Sequence, residues 1–144
     1  MEDTSAERNS ALFDALVRVQ IHLWNAIDDR IRVEYGLRLG TFQIMRVIAQ
    51  RDGCRVNDVA DEMLITIGGA SKLIDRLEAA AHCERTANPD DRRSSIIRLT
   101  ASGTALLDRA TETFDRALEE SLAPLTATDK KTMSLTLNSL RGQS

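Results

Sequence analysis

Two helical patterns follow one another in the middle of the chain with almost nothing between them. Apolar residues at helical spacing predict a first helix of roughly eight residues that begins near Arg55. These residues are Val56, Val59, Ala60 and Met63. Thr66 is a good N-cap for a longer helix that ends near Ala80, because its side-chain oxygen accepts a hydrogen bond from the first turn. A short helix, a tight turn and a longer helix indicate a helix-turn-helix motif.

Two short strand patterns follow this motif. Residues 83–87 and 94–99 are the strand candidates, and a charged, turn-rich loop over residues 88–93 separates them. In the second pattern Ile97 and Leu99 alternate with their neighbours, as in a half-buried strand. The sequence therefore predicts a β-hairpin, or wing, directly after the helix-turn-helix.

A long helix precedes the motif. Residues 7–34 contain no glycine or proline, and apolar residues recur there in steps of three and four. They are Leu12, Leu16, Val19, Leu23, Ile27 and Ile31. At about 1.5 Å per residue this helix exceeds roughly 35 Å, more than the core of a small domain requires. It is either a long core helix or a helix whose end packs against a partner chain.

Capping residues place the remaining helices. Thr41 is expected to cap a helix over residues 42–51, and Thr100 is expected to cap a long helix after the wing. Thr126 and Asp129 resemble a capping box that opens a final helix. The chain is thus predicted to be mostly α-helical with one small β-hairpin.

Length and charge limit the classes of protein. With 144 residues the chain is expected to form a single domain. Its net charge of −3 and pI of about 5.4 argue weakly against a general nucleic-acid binder. Residues 36–100 nevertheless carry 10 basic and 9 acidic side chains, against 4 and 7 in residues 1–35 and 5 and 6 in residues 101–144. Any DNA-facing surface must therefore lie in the middle of the chain.

Several classes are disfavoured by what the sequence lacks. No run approaches the roughly 18 apolar residues that a membrane span needs, and residues 1–5 are too polar for a secretory signal, so we expect a cytoplasmic protein. Cys54 and Cys83 lack metal-binding spacing and are expected to be reduced, inert thiols. Neither histidine lies near a nucleophile motif, so we expect no enzyme, no metal and no cofactor.

The second helix of the motif has the form of a DNA-recognition helix. A helix N-terminus with small polar side chains fits a major groove, where side chains reach base edges. Gly68 and Gly69 let the backbone approach a phosphate or a base, although they could instead relax a turn before a helix that begins later. The expected contacts of this helix are Thr66, Gly68, Gly69, Ser71, Lys72 and Arg76.

The hairpin tip offers a second candidate contact. Arg92 and Arg93 stand there beside Asp90 and Asp91. An arginine at a loop tip fits the narrow minor groove, and a neighbouring carboxylate holds the loop through hydrogen bonds to its amides. An ordinary solvated turn is the alternative, but the position directly after a helix-turn-helix favours DNA.

These motifs carry a family resemblance. The sequence over residues 56–63, the wing sequence 89–93 and the Leu-Thr-x-x-Gly that ends at Gly103 resemble the MarR family of winged-helix transcriptional regulators. The resemblance extends over residues 12–140. Ala81 departs from it, because the family usually has a glycine there to close the recognition helix.

The resemblance implies an architecture and a partner. Residues 1–144 would form one domain, with a winged helix-turn-helix DNA-binding lobe at 36–99 and dimerisation helices at 7–35 and 100–144. A homodimer would bind a pseudo-palindromic double-stranded DNA operator with half-sites roughly 34–36 Å apart. By position, Arg93 matches the wing arginine that reaches the minor groove, and Asp91 matches the acidic residue that braces this arginine.

Regulators of this kind commonly release DNA when a small aromatic or phenolic anion binds. Arg18 and His22 are four residues apart on the first helix and could hold a carboxylate and a phenol oxygen, with Trp24 nearby. Alternatively, Arg18 and His22 are solvated or face the partner, and Trp24 is a packing residue. Relatives that act as thiol switches use a cysteine near the start of the first helix, where this chain has none.

Two hypotheses follow. The first is a dimeric, ligand-responsive, sequence-specific DNA-binding regulator, more often a repressor. The second is a winged-helix protein-interaction module without DNA binding, which the acidic pI favours. The charge of the predicted recognition helix also favours this second hypothesis, because Asp75 and Glu78 offset Lys72 and Arg76.

Overall fold

The computed structural model describes residues 4–91 and 94–142, and within them the chain forms six helices and one antiparallel hairpin. In chain order these elements are α1 (Ser5–Tyr35), α2 (Leu39–Gln50), α3 (Val56–Met63), α4 (Ile67–Ala79), β1 (Cys83–Ala87), β2 (Ser95–Leu99), α5 (Ala101–Ser121) and α6 (Ala127–Arg141). The prediction of a mostly α-helical winged-helix fold with a small hairpin is confirmed. The predicted helix starts after Thr66, Thr100 and Thr126 are also confirmed, since each of these side chains caps its helix.

The core lies where α2, α3 and α4 meet the hairpin, the C-terminal part of α1, and α5. The ring centroids of Phe42 on α2 and Phe114 on α5 lie 5.0 Å apart, so the two aromatic side chains pack α2 against α5. The strands pair with Cys83 opposite Leu99, so Ile97 points into the core with 1% of its surface exposed. This packing fixes how α4 is presented to solvent.

The predicted start of α2 is wrong. Thr41 does not cap this helix, which begins at Leu39. Asp28 of α1 supplies the cap instead, because its Oδ1 accepts the Leu39 N–H at 2.8 Å while its Oδ2 pairs with Arg38 at 3.2 Å. Leu39 is also buried, with 2% exposed, so tertiary packing and a remote carboxylate extend the helix beyond the local signal.

The departure from the family pattern at Ala81 has a visible backbone cost. Ala81 has φ +61, in the left-handed region that disfavours a side chain with a Cβ. Its carbonyl accepts a hydrogen bond from the Thr100 hydroxyl at 2.6 Å, and the His82 carbonyl accepts one from the Thr100 N–H at 3.0 Å. The turn after α4 is therefore tied to the start of α5.

Gly103 permits this close junction. A Cβ at this position would lie 1.9 Å from the carbonyl oxygen of His82, so one of the two backbone segments would have to shift. The Gly103 N–H donates to the Thr100 Oγ1 at 3.0 Å, which completes the cap of α5. The glycine of the Leu-Thr-x-x-Gly motif thus serves a close approach of two backbones.

The outer helices leave a large apolar surface uncovered in the single chain. On α1 only Ile27 and Ile31 are buried, and α6 buries no residue. The exposed apolar residues of these helices include Leu12, Phe13, Val19, Leu135 and Leu140. Among the described residues, no helix has the length and apolar character needed to cross a membrane.

Candidate nucleic-acid interface

Helix α4 presents one face to the core and the other to solvent. Ala70, Ile74 and Leu77 are buried, which leaves Lys72 and Arg76 exposed on the opposite side. Neither cation forms an ion pair with a described residue. The outer face of α4 is therefore cationic and open.

The first turn of α4 is almost free of side chains. The Thr66 Oγ1 accepts the Gly69 N–H at 3.0 Å, so α4 begins where the sequence predicts it. A Cβ on Gly68 would meet no atom of the described residues within 4 Å, so packing against these residues does not demand glycine there. The two glycines leave the backbone of this turn accessible, as a close approach to DNA requires.

An ion pair joins α4 to the wing. Nη2 of Arg85, on β1, donates to Oδ1 of Asp75 at 2.6 Å. Its Nε is buried without a hydrogen-bond partner among the described residues. The pair neutralises the carboxylate on the outer side of α4, so Asp75 does not offset Lys72 and Arg76. Arg85 is not predicted from the sequence, because no local signal links a strand residue to a helix residue ten positions earlier.

Part of the wing tip belongs to the same region. Asp91 is exposed, and its carbonyl accepts the Ser94 N–H at 3.2 Å, which turns the chain into β2. The predicted contacts Arg92 and Arg93 lie outside the described residues. A polar cleft of about 450 Å³ brings Ser71 of α4 and Asp91 together with Arg85.

A second cavity lies away from the wing. It has a volume of about 610 Å³, and α1, α2, α5 and α6 line it mainly with apolar side chains. Trp24 lines this cavity, and Lys130 is the cation at its edge. Arg18 and His22 are exposed and do not line it, because helical spacing puts them on the other side of α1 from Leu23 and Ile27. The structure thus separates the three residues expected to form one ligand site.

Both cysteines are buried free thiols. Burial raises the pKa of Cys83 to about 11 and also raises the pKa of Cys54. Each thiol therefore stays protonated and unreactive near neutral pH. Over residues 4–91 and 94–142, no cluster of three or more histidine, cysteine, aspartate or glutamate side chains could hold a metal ion.

Known proteins share this sequence pattern and fold. The sequence model of the MarR family matches residues 35–94. The uncharacterized HTH-type transcriptional regulator YwhA of Bacillus subtilis is 28% identical over 89 residues. The match covers 62% of this chain and only 64% of YwhA. The multiple antibiotic resistance protein MarR of Escherichia coli is 24% identical over 131 residues, which cover 86% of this chain and 91% of MarR.

A solved structure shows the same fold over nearly the whole chain. Sco3205, a MarR family transcriptional regulator from Streptomyces coelicolor solved in complex with DNA, superimposes with a TM-score of 0.86 at 19% identity. The superposition covers 98% of this chain and 89% of Sco3205. At this identity the likeness concerns the fold.

Proposed function

We propose that this chain, whose residues 35–94 match the sequence model of the MarR family, is a DNA-binding winged-helix transcriptional regulator of that family. It would form a homodimer that binds a pseudo-palindromic operator and represses transcription. Each copy would place α4 in a major groove and its wing in the adjacent minor groove, with half-sites roughly 34–36 Å apart. The proposed protein would act in the cytoplasm, where it would meet its operator. Regulators of this family are non-enzymatic transcription factors, so the chain is not an enzyme.

The observation that carries this proposal is the open cationic face of α4. Lys72 and Arg76 are exposed there beside a turn of bare glycine backbone. Cations of this kind neutralise phosphates, and backbone amides and small side chains reach groove atoms at short range. Ser71 and the predicted wing contacts Asp91, Arg92 and Arg93 complete the proposed interface.

The dimer is supported by the apolar surface of α1 and α6. Monomers rarely expose contiguous apolar patches of this kind without a partner. Leu12, Phe13 and Leu135 keep between 59% and 65% of their surface exposed in the single chain. A second copy packing its own terminal helices on this surface would bury it, and two-fold symmetry would then present two copies of α4.

The release of DNA is proposed to involve the apolar cavity, which a second copy would border because α1 and α6 line part of it. Its volume of about 610 Å³ lies within the range that small-molecule sites occupy. Trp24 offers an aromatic face to an aromatic or phenolic effector, and Lys130 offers a positive charge to its acidic group. Arg18 and His22 stay predictions as effector contacts.

A gel-shift titration tests the proposed DNA binding. Duplexes from the region upstream of the gene are titrated with protein at several salt concentrations. We expect a sequence-selective, salt-sensitive shift; Lys72→Ala should weaken it and lower the salt slope by about one per subunit. Arg109→Ala, at an exposed position of α5 outside the lobe and outside the proposed dimer surface on α1 and α6, is the matched control and should change neither quantity. Absence of a selective shift on these and on randomly selected duplexes would refute the proposal.

The geometry removes part of the support for the protein-interaction alternative. That alternative rested on the acidic pI and on Asp75 and Glu78, which offset Lys72 and Arg76. Asp75 is engaged by Arg85, so its charge is compensated within the lobe. No specific observation favours a partner protein at this face.

A further inference from the structure

An exposed isoleucine stands at the first position of α4. Ile67 keeps 57% of its surface exposed, although isoleucine is among the residues most often buried. It lies four residues before Ser71, on the same side of the helix, and both residues line the cleft beside the wing. Its exposed surface therefore borders the face that is proposed to meet DNA.

The rest of the first turn offers little side chain to a base. The Thr66 Oγ1 is engaged in capping the helix, and Gly68 and Gly69 have no side chain. Ala70 is fully buried. Among residues 66–70, all of which the structure describes, Ile67 has the only large exposed side chain. A base that meets this turn meets mainly backbone and the apolar surface of Ile67.

One apolar group in the major groove distinguishes a base, and it is the C5-methyl of thymine. We propose that Ile67 contacts a thymine methyl group in each operator half-site and makes that position thymine-specific. The inference rests on the proposed binding of DNA through α4, where Lys72 and Arg76 would hold the phosphate backbone close. It assigns one base preference to one side chain.

The test removes the methyl group from the DNA as well as the side chain from the protein. Duplexes that bind are selected from a random pool, and each thymine of a selected site is replaced singly by deoxyuridine, which pairs identically but lacks the methyl. Affinities are measured by fluorescence anisotropy at one salt concentration. For the unaltered protein we expect one thymine per half-site where deoxyuridine weakens binding about fourfold, the factor that corresponds to burying one methyl-sized group.

Three variants assign this penalty to a residue. Ile67→Ala should bind the thymine and deoxyuridine duplexes equally at that position. Leu64→Ala is the matched control, because Leu64 is 91% exposed in the turn before α4, and this variant should keep the fourfold penalty. Ile67→Val should retain most of the penalty and carries the comparison if Ile67→Ala binds too weakly to measure. Thermal unfolding verifies that each variant is folded.

The outcomes separate this inference from the function on which it rests. Bound duplexes without a deoxyuridine penalty at any thymine would overturn the inference alone. So would a penalty that persists unchanged with Ile67→Ala, or one that Leu64→Ala also removes. If selection yields no bound duplex, the proposed function fails and the inference fails with it.

Discussion

Replacing Ala81 by glycine should stabilise the protein. Ala81 follows the end of α4 with φ +61, and a left-handed conformation costs a non-glycine residue about 1–2 kcal/mol. Glycine removes that cost but gains freedom in the unfolded chain, which offsets about 0.4–1 kcal/mol. The side chain is exposed, so no buried contact is lost with the methyl group. The net expectation for Ala81→Gly is a stabilisation of about 0.8 kcal/mol.

The neighbouring alanine provides the matched control. Ala80 is also exposed but has φ −82, an ordinary conformation, so Ala80→Gly should destabilise the protein by about 0.4–1 kcal/mol. Both changes replace alanine by glycine, so the effects on the unfolded chain cancel in the comparison. The two variants should therefore differ by the left-handed cost itself, about 1–2 kcal/mol.

Urea unfolding followed by circular dichroism measures this difference. All variants are compared at one protein concentration, because the stability of a dimer depends on concentration. The midpoints should rank Ala81→Gly above the unaltered protein and Ala80→Gly below it, with unchanged slopes. Equal stabilities of the two glycine variants would refute the reasoning, since they would show that the turn at Ala81 carries no strain.

The remaining predictions concern the junction, the wing and the buried thiols. Gly103→Ala should lower the free energy of unfolding by about 1–3 kcal/mol or more, because its Cβ would collide with the His82 carbonyl; Gly142→Ala, which has open space, is the control in the same denaturant titration. Arg93→Ala should weaken operator binding by about 1–3 kcal/mol in anisotropy titrations while light scattering still reports a dimer, and an unchanged affinity would remove the wing from the interface. Burial raises the pKa of Cys83 from 9.0 to about 11, so the protonated thiol contributes its full stabilisation below pH 9.0 and loses it as the pH rises to about 11. The difference in unfolding free energy between the unaltered protein and Cys83→Ala should shrink over that interval, and a constant difference would contradict this prediction.

Local signals explain why the helix-turn-helix was predictable. Thr66 and Thr100 cap their helices through hydrogen bonds to residues three positions later, so the whole interaction is contained in a short segment. The alternation around Ile97 likewise reports burial on one face of a strand. These features require no knowledge of the rest of the fold.

Tertiary contacts explain what the sequence analysis missed. The cap of α2 comes from Asp28, whose carboxylate accepts a hydrogen bond from the backbone N–H of Leu39, eleven residues later. The compensation of Asp75 by Arg85 joins a helix to a strand, and no spacing rule reports such a pair. The split of Trp24 from Arg18 could have been found, because helical spacing already puts them on different sides of α1.

The contact between Gly103 and the His82 carbonyl has a mechanical consequence. The turn after α4 and the first turn of α5 meet backbone to backbone, with no side chain between them. Interiors packed this closely transmit displacement instead of absorbing it. A tilt of α5 therefore displaces the C-terminal end of α4. In the proposed dimer, the orientation of α5 in each copy would set the distance between the two α4 helices.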